Sequence, residues 1–575
     1  MNPDEPTHFN VLIAGTGLHE SILAAALSKA GYSVLQLDSA TCYGTEHASL
    51  SLKELAQWAK ETEGAEASSP SSADDLLRLS QRFAISLFPM LLRATGPALD
   101  LLIRSKVATY LQFGLLGGVG LYHQEEGEDK KGKERVDRVP ASKADVFNDS
   151  SLSLVEKRRL TKLLLFAAGQ DPLEEDKVLL QAPDISFSTY LSKAFSLSGA
   201  AADSLAYALA LCSTSSDPAL PALQRLRNII HAVGRYGPSP YLVGHYGGAG
   251  DLVGGFSRIC AVWGGGQILG RPLGELDLSP PIGKPVPPSQ PPFMVHENHP
   301  PPPAAPSTAA DSDSPATRPL GIPVVLETGE QPTMFTGDWV VSSPHLLSTL
   351  SPSHTPPTVP SSVHLIAILP SPVPFPPPRE PRGPDEGDEP DSNLFVFPPQ
   401  SLSEELGTVT AFQVGKGTMS TPEGYHTLYF SAPLLSPSAS STSTASTLLE
   451  PYLNALLSLP PPSPASDSSD STAPALNDVA PSSSPIEPLY TVSYISPSPS
   501  SSSSTSPSSP LPPNFLSLPP LPSGHRSSAL VDALDDLVPL VEETFWKIVG
   551  EEGRKEGVQF FAKEQVASGE EDEED

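Results

Sequence analysis

Gly15, Gly17 and Glu20 form a turn that could seat a phosphate at a helix start. They stand in "VLIAGTGLHESIL", where the apolar run Val11 to Ile13 leads into two glycines and then into a helical pattern. Strand, glycine turn and helix in that order open a dinucleotide-binding unit. The free N–H groups at the helix start, with the helix dipole, attract a diphosphate. Asp38 closes a second apolar run, at about the distance from which such units hold a ribose hydroxyl. The G-x-G-x-x-G fingerprint breaks at its third position, where Glu20 stands for glycine. A carboxylate in the first turn stabilises the helix itself, yet it repels a diphosphate on the same side. The residues alone leave two readings open: a flavin or nicotinamide site, or a βαβ unit that keeps its shape without the ligand.

No other pattern carries as much. The histidines form no H-E-x-x-H, no paired Cys/His spacing is present, and no metal site is expected. "YGGAG" and "WGGG" read as turns, since neither clearly joins a strand to a helix as a phosphate loop does. No nucleophile has an evident base. Cys42, Cys212 and Cys260 make no C-x-x-C pair, which fits a reducing compartment and no disulfide framework. The chain has 66 acidic against 35 basic residues, a formal net charge of −31. That balance disfavours nucleic acid, whose binding needs clustered cations, and disfavours a permanent dock on anionic membrane. The opening "MNPDEPTHFN" lacks an apolar signal region, no apolar run reaches bilayer length, and the closing "GEEDEED" has no prenylation box.

Elements able to position these residues come in islands. Leu87, Leu91, Ala94 and Ala98 recur at helical spacing, and His123–Arg138 reads as a charged surface loop or hairpin tip. Ser151 to His231 reads as helical, with Leu160, Leu164 and Ala167 on an inward stripe. Past Pro280, Pro- and Ser-rich inserts separate short β-like runs at Asp338, His364, Thr408, Tyr425 and Leu489. These inserts include 351–362, 370–391, 436–447, 460–485 and 496–528. Loop closure entropy grows slowly with length, so one domain tolerates such insertions.

The words around the motifs add a resemblance. "GTGLHESILAAALSKAGYSVLQLDSATCYG", "DLLIRSKVATYLQF", "VPASKADVFNDSSLSLVEKRRLTKLLLF", "GRYGPSPYLVGHYGGAGDLVGGFSRICAVWGGGQIL" and "FWKIVG" resemble, in order, the Rab GDP-dissociation inhibitor and Rab escort superfamily. "DLLIRSKV", "ADVFNDSSLSLVEKRR" and "FWKIVG" look like its escort branch. The resemblance implies an α/β (α+β) fold: a large flavoprotein-monooxygenase-like domain with a βαβ start and a smaller inserted all-helical domain. It implies no bound flavin and no cofactor, which favours the second reading of the glycine turn. On this basis the chain divides into large-domain parts at 9–138, 232–280 and 321–495 and an inserted helical domain at 139–231. Disordered inserts follow at 281–320 and 496–528, with a C-terminal helix at 529–552 and an acidic tail at 553–575.

The implied role is a non-catalytic accessory to Rab geranylgeranyltransferase. It would be a cytosolic carrier that binds GDP-bound Rab GTPases and their geranylgeranyl lipid and touches membranes transiently. Recycling inhibitor and FAD-dependent oxidoreductase are the rivals. Carried over residue by residue, the Rab platform falls on Tyr43, although Thr45 stands for a second glycine, and on Asp251, a shortened glutamate after a one-residue expansion. Arg258 and Ile268 complete it. Transferase docking falls on Leu163, where the family pattern has an aromatic, and on Phe166; lying off the inward stripe, Phe166 either projects outward or joins an all-core "LLLF".

Overall fold

The structure is a computed structural model. It describes residues 5–68, 73–124, 134–140, 153–286, 318–327, 331–377, 390–436, 443–460, 485–499, 510–521 and 526–561. The chain opens with strand β1 (His8–Ala14), helix α1 (Leu18–Lys29) and strand β2 (Val34–Leu37). Val11 to Ala14 are all buried, as a strand inside a parallel sheet requires with both faces covered. Helix α1 has no solvent stripe: Leu18 to Ser28 are buried throughout, and Ala24, Ala25 and Ala26 let neighbours approach closely.

Residues 154–232 are mostly helical. They include α2 (Leu154–Ala168), which starts in a capping box between Ser153 and Glu156, and a closing helix over Ala219–Ala232. A second strand–turn–helix follows: β3 (Tyr241–Gly244), α3 (Ala249–Val262) and then β4 (Gly266–Ile268). This corrects the reading of "YGGAG" as a plain turn, because it does join a strand to a helix. Strand β5 (Thr333–Ser342) completes the first sheet, in the order β4-β2-β1-β5-(320–324), with Phe515–Ser517 also paired to β5. Strands β4, β2, β1 and β5 run parallel, with Leu12 facing Leu35 and Val340. Helices α1, α3 and the C-terminal α4 (Ala529–Lys555) share one apolar cluster on one face of this sheet.

A second sheet of eight strands runs from Glu66–Ala67 to Glu134–Arg138. The helical residues share a core with one of its faces, and the helix Ala445–Leu457 covers the other. Arg93 ties β3's sheet to α4: it bonds Asp535 and lies 2.8 Å from Asp532, which Arg225 approaches at 4.0 Å from the helical layer.

Several expectations change. Residues 87–98 hold a strand at Leu91–Arg93, and helix begins only at Pro97, because Pro and Gly96 punctuate the apparent period. Part of the 351–362 insert belongs to the strand Thr358–Leu369. Asn393–Phe397 and Ala445–Leu457 add a strand and a helix where the sequence pattern showed neither. Within 281–320, Lys284 accepts backbone bonds from Thr7 and His8. Within 496–528, Phe515–Ser517 pairs in the first sheet. The acidic tail cannot begin at 553: Val558, Phe560 and Phe561 return to the core, with Phe560 5.4 Å from the Phe545 ring. Residues 125–133, 141–152, 287–317, 461–484 and 562–575 lie outside the described residues, with the expectations that fall on them.

Candidate functional site

At the first glycine turn Gly15 has a φ of +116° and Gly17 is extended. Glu20, third residue of α1, folds back over that turn and is only 2% exposed. A Cβ on Gly17 would lie 2.7 Å from Glu20 Oε2 and 3.1 Å from His47 Nδ1; one on Gly15 would meet Ser343 Cβ at 2.8 Å. Burial, with Glu46 and Asp38 adding repulsion, pushes the Glu20 carboxyl up to about 8, so it is mostly neutral at pH 7. Asp38 is fully buried and already accepts from Thr16 Oγ1 at 2.7 Å, Thr45 Oγ1 at 2.9 Å and the Ala40 amide at 2.9 Å. The turn therefore does not fit a diphosphate: Glu20 and His47 fill its space, and the ribose-type carboxylate is committed within the chain.

The loop after β2 carries Tyr43, which is 41% exposed and donates from its hydroxyl to Gln267 at 3.0 Å. Gln267 in turn donates to Gln36 at 2.9 Å. Ile268 is the next residue, half-buried against the Leu12 and Leu37 cluster, with its carbonyl accepting from the Asp38 amide at 3.0 Å. The structure thus brings Tyr43 and Ile268 to one edge of the first sheet. Beside Ile268, a cleft of about 460 Å³ has a floor of Phe9, Leu35 and Phe335, with the exposed charges of Arg271 and Glu327 in its lining.

Asp251 is the third residue of α3, and burial raises its carboxyl to about 6. The start of α3 presses on Ser49, whose hydroxyl would lie 2.3 Å from a Cβ on Gly250, so it abuts the end of the Tyr43 loop. Arg258, two turns further on, shares a face with Asp251 at about 10 Å along the axis. It is exposed, makes no salt bridge among the described residues, and stacks at 4.4 Å over the Tyr110 ring. Tyr110, Tyr246 and Met419 are exposed large side chains nearby in the chain's fold that sequence reasoning did not single out. Tyr246 lies in the second glycine turn at a φ of +50°, and its amide donates to Thr418 at 3.0 Å. Its signal was the strand–turn–helix order that the glycines obscured.

On α2 the inward stripe is Leu160, Leu163 and Ala167, and Leu164 is only partly buried. Leu163 is 0% exposed, so it cannot present itself as a docking anchor without unfolding the helix. Phe166 is half-buried, 5.7 Å from the Phe195 ring, and the exposed apolar residue of this turn is Leu165. Arg227 fixes the helix rotation through its bond to the Ala167 carbonyl at 2.9 Å.

Residues 4–281 match the family model described as GDP dissociation inhibitor. The chain is 33% identical over 301 residues to the Rab proteins geranylgeranyltransferase component A of Drosophila melanogaster, covering 48% of this chain and 56% of that one. It is 31% identical over 276 residues to the protein of the same name from Saccharomyces cerevisiae, covering 47% and 44%. The yeast Rab GDP-dissociation inhibitor is 29% identical over 283 residues, covering 48% and 59%. The chain spans about half the length of the curated relatives it matches. The solved Rab GDP-dissociation inhibitor of Plasmodium falciparum shares the fold, at a TM-score of 0.61 and 19% identity, over 94% of this chain and 99% of that one.

Proposed function

We propose that this chain, whose residues 4–281 match the GDP dissociation inhibitor family model, is a Rab escort protein. It binds newly made GDP-bound Rab GTPases, presents them to Rab geranylgeranyltransferase and delivers the prenylated product to membranes. It does no bond-making chemistry of its own. The escort reading is favoured over the recycling inhibitor by the escort-like blocks in the sequence and by relatives named component A. The filled glycine turn argues against a flavin oxidoreductase.

The observation that carries the reading is the exposure of Tyr43 and Arg258 on elements that abut one another through Ser49. Arg258 offers a planar donor fork suited to carboxylates and carbonyls of a partner, and Tyr43 a large amphipathic face. Asp251 and Ile268 flank them. A cytosolic carrier fits a chain in which, among the described residues, no helix is long and apolar enough to cross a membrane. A prenyl chain removed from water gains about 0.8 kcal/mol per CH₂, enough for a groove in the helical region 139–231 to compete with a bilayer.

Titrating a GDP-loaded Rab against the protein and its Arg258→Ala variant tests the platform. Loss of a hot-spot arginine costs about 2 kcal/mol, or roughly thirtyfold in affinity; unchanged affinity in a folded variant would make Arg258 structural. Adding transferase and geranylgeranyl diphosphate tests the escort role, since Rab prenylation must depend on this chain. Docking through Phe166 predicts that Phe166→Ala stalls prenylation while Rab binding persists. Its packing on Phe195 predicts a stability loss of about 1–3 kcal/mol in the same variant.

A further inference from the structure

The Tyr43 loop is held from beneath by groups that a βαβ unit ordinarily turns toward a ligand. Thr16, between the two glycines, is fully buried; its hydroxyl donates to Asp38 and accepts from the Gly44 amide at 3.2 Å. Asp38 reaches the other side of the loop through the Thr45 hydroxyl. Thr45 has a φ of +47°, a left-handed conformation that a β-branched residue rarely takes. Glycine would hold that conformation without strain but without the bond to Asp38. Two further ties follow in the chain: His345 lies 3.3 Å from Glu46, and the Leu18 amide points at His47 Nδ1 at 3.5 Å. Glu20 closes the space beneath, against Gly17.

We propose that Thr16, Asp38 and Thr45 form a clamp that positions the 43–47 loop, so that the space of a nucleotide site serves to present Tyr43 to its protein partner. Thr16 and Asp38 are positioning residues: they act through the loop and touch no partner. The proposal rests on the Rab-binding reading for the identity of that partner, and on the geometry alone for the clamp.

The test uses the full chain, with Thr16→Val, Thr16→Ser and Thr45→Gly. Amide hydrogen exchange at residues 43–47 reads the clamp without any partner, and affinity for a GDP-loaded Rab reads its use. Thr16→Val keeps shape but leaves the buried Asp38 short of a donor. It should speed exchange at 43–47 and weaken Rab binding, each about tenfold, equivalent to about 1.4 kcal/mol; Thr16→Ser should restore both. Thr45→Gly cuts only the outer tie and keeps the left-handed backbone, so it serves if Thr16→Val does not fold, with the same direction expected. Unchanged exchange in Thr16→Val and Thr45→Gly would overturn the clamp. Faster exchange with unchanged Rab affinity would overturn its role in presenting Tyr43. Faster exchange in variants of a parent that binds no Rab would support the clamp and reject the Rab reading instead.

Discussion

The chain contains two strand–glycine turn–helix units, and they use the same local design in opposite ways. Each helix begins after a turn that needs glycine, and each carries a carboxylate as its third residue: Glu20 in α1 and Asp251 in α3. In the first unit the carboxylate lies over its own turn, 2% exposed, and the side chains of His47 and Ser343 crowd in with it. In the second the carboxylate is half-buried and the turn presents Tyr246, 49% exposed, to solvent. One unit is closed and supports a loop; the other is open and forms surface. A glycine turn before a helix thus specifies backbone, while what packs against the turn decides whether it can meet another molecule.

The largest break in this comparison should come from proton linkage at Glu20. Its native carboxyl is raised from an ordinary 4.5 to about 8, so the native state holds a proton that the unfolded chain releases between those values. This contribution is fully present below about pH 4.5 and is lost as pH rises toward 8. Over that interval the parent should lose about 1.4 kcal/mol per pH unit relative to Glu20→Gln, which stays neutral. Denaturant melts of both proteins at pH 5, 6, 7 and 8 check it; a constant gap would mean Glu20 is ionised in the native state.

Next in size are the glycines themselves. In Gly247→Ala a Cβ would sit at a φ of +85°, 2.3 Å from Ser49 Oγ and 2.9 Å from the Ala84 carbonyl, so a loss of about 3 kcal/mol is expected. Gly17→Ala strikes mainly the far end of the Glu20 side chain from an extended backbone, and should cost about 1–2 kcal/mol. Thermal melting that ranked Gly17→Ala as the worse of the two would put the rigid packing at the first turn. The smallest effect concerns Asp251. Its carboxyl is raised from 3.8 to about 6, so its linkage should run only between those values and be flat above pH 6. Partial solvent access keeps the gap between Asp251→Asn and the parent under about 1 kcal/mol.

Much of the first unit is legible in the amino-acid sequence. Val11 to Ile13, the glycines and the helical run to Lys29 are local signals, and they form β1 and α1 where the pattern puts them. The strands at Asp338, His364, Thr408, Tyr425 and Leu489 are legible for the same reason, through β-branched and aromatic alternation. The helix Ala445–Leu457 is not, because its serine-rich start and internal Pro451 imitate a loop. On α2, Leu163 and Leu164 both fit an i, i+3, i+4 stripe, and only the layer packed against the helix chose Leu163.

The β1–α1–β2 opening and the break of the fingerprint at Glu20 follow from residues adjacent in the chain, and the acidic balance follows from composition alone. Packing between distant segments buries Glu20 and pushes its carboxyl up, commits Asp38 to Thr16 and Thr45, and stands Arg258 on the Tyr110 ring, without an ion pair among the described residues. The physical reason is that desolvation and hydrogen-bond satisfaction belong to a site's surroundings. Here Ser343, His345, Gln267 and Tyr110 supply those surroundings from distant parts of the chain.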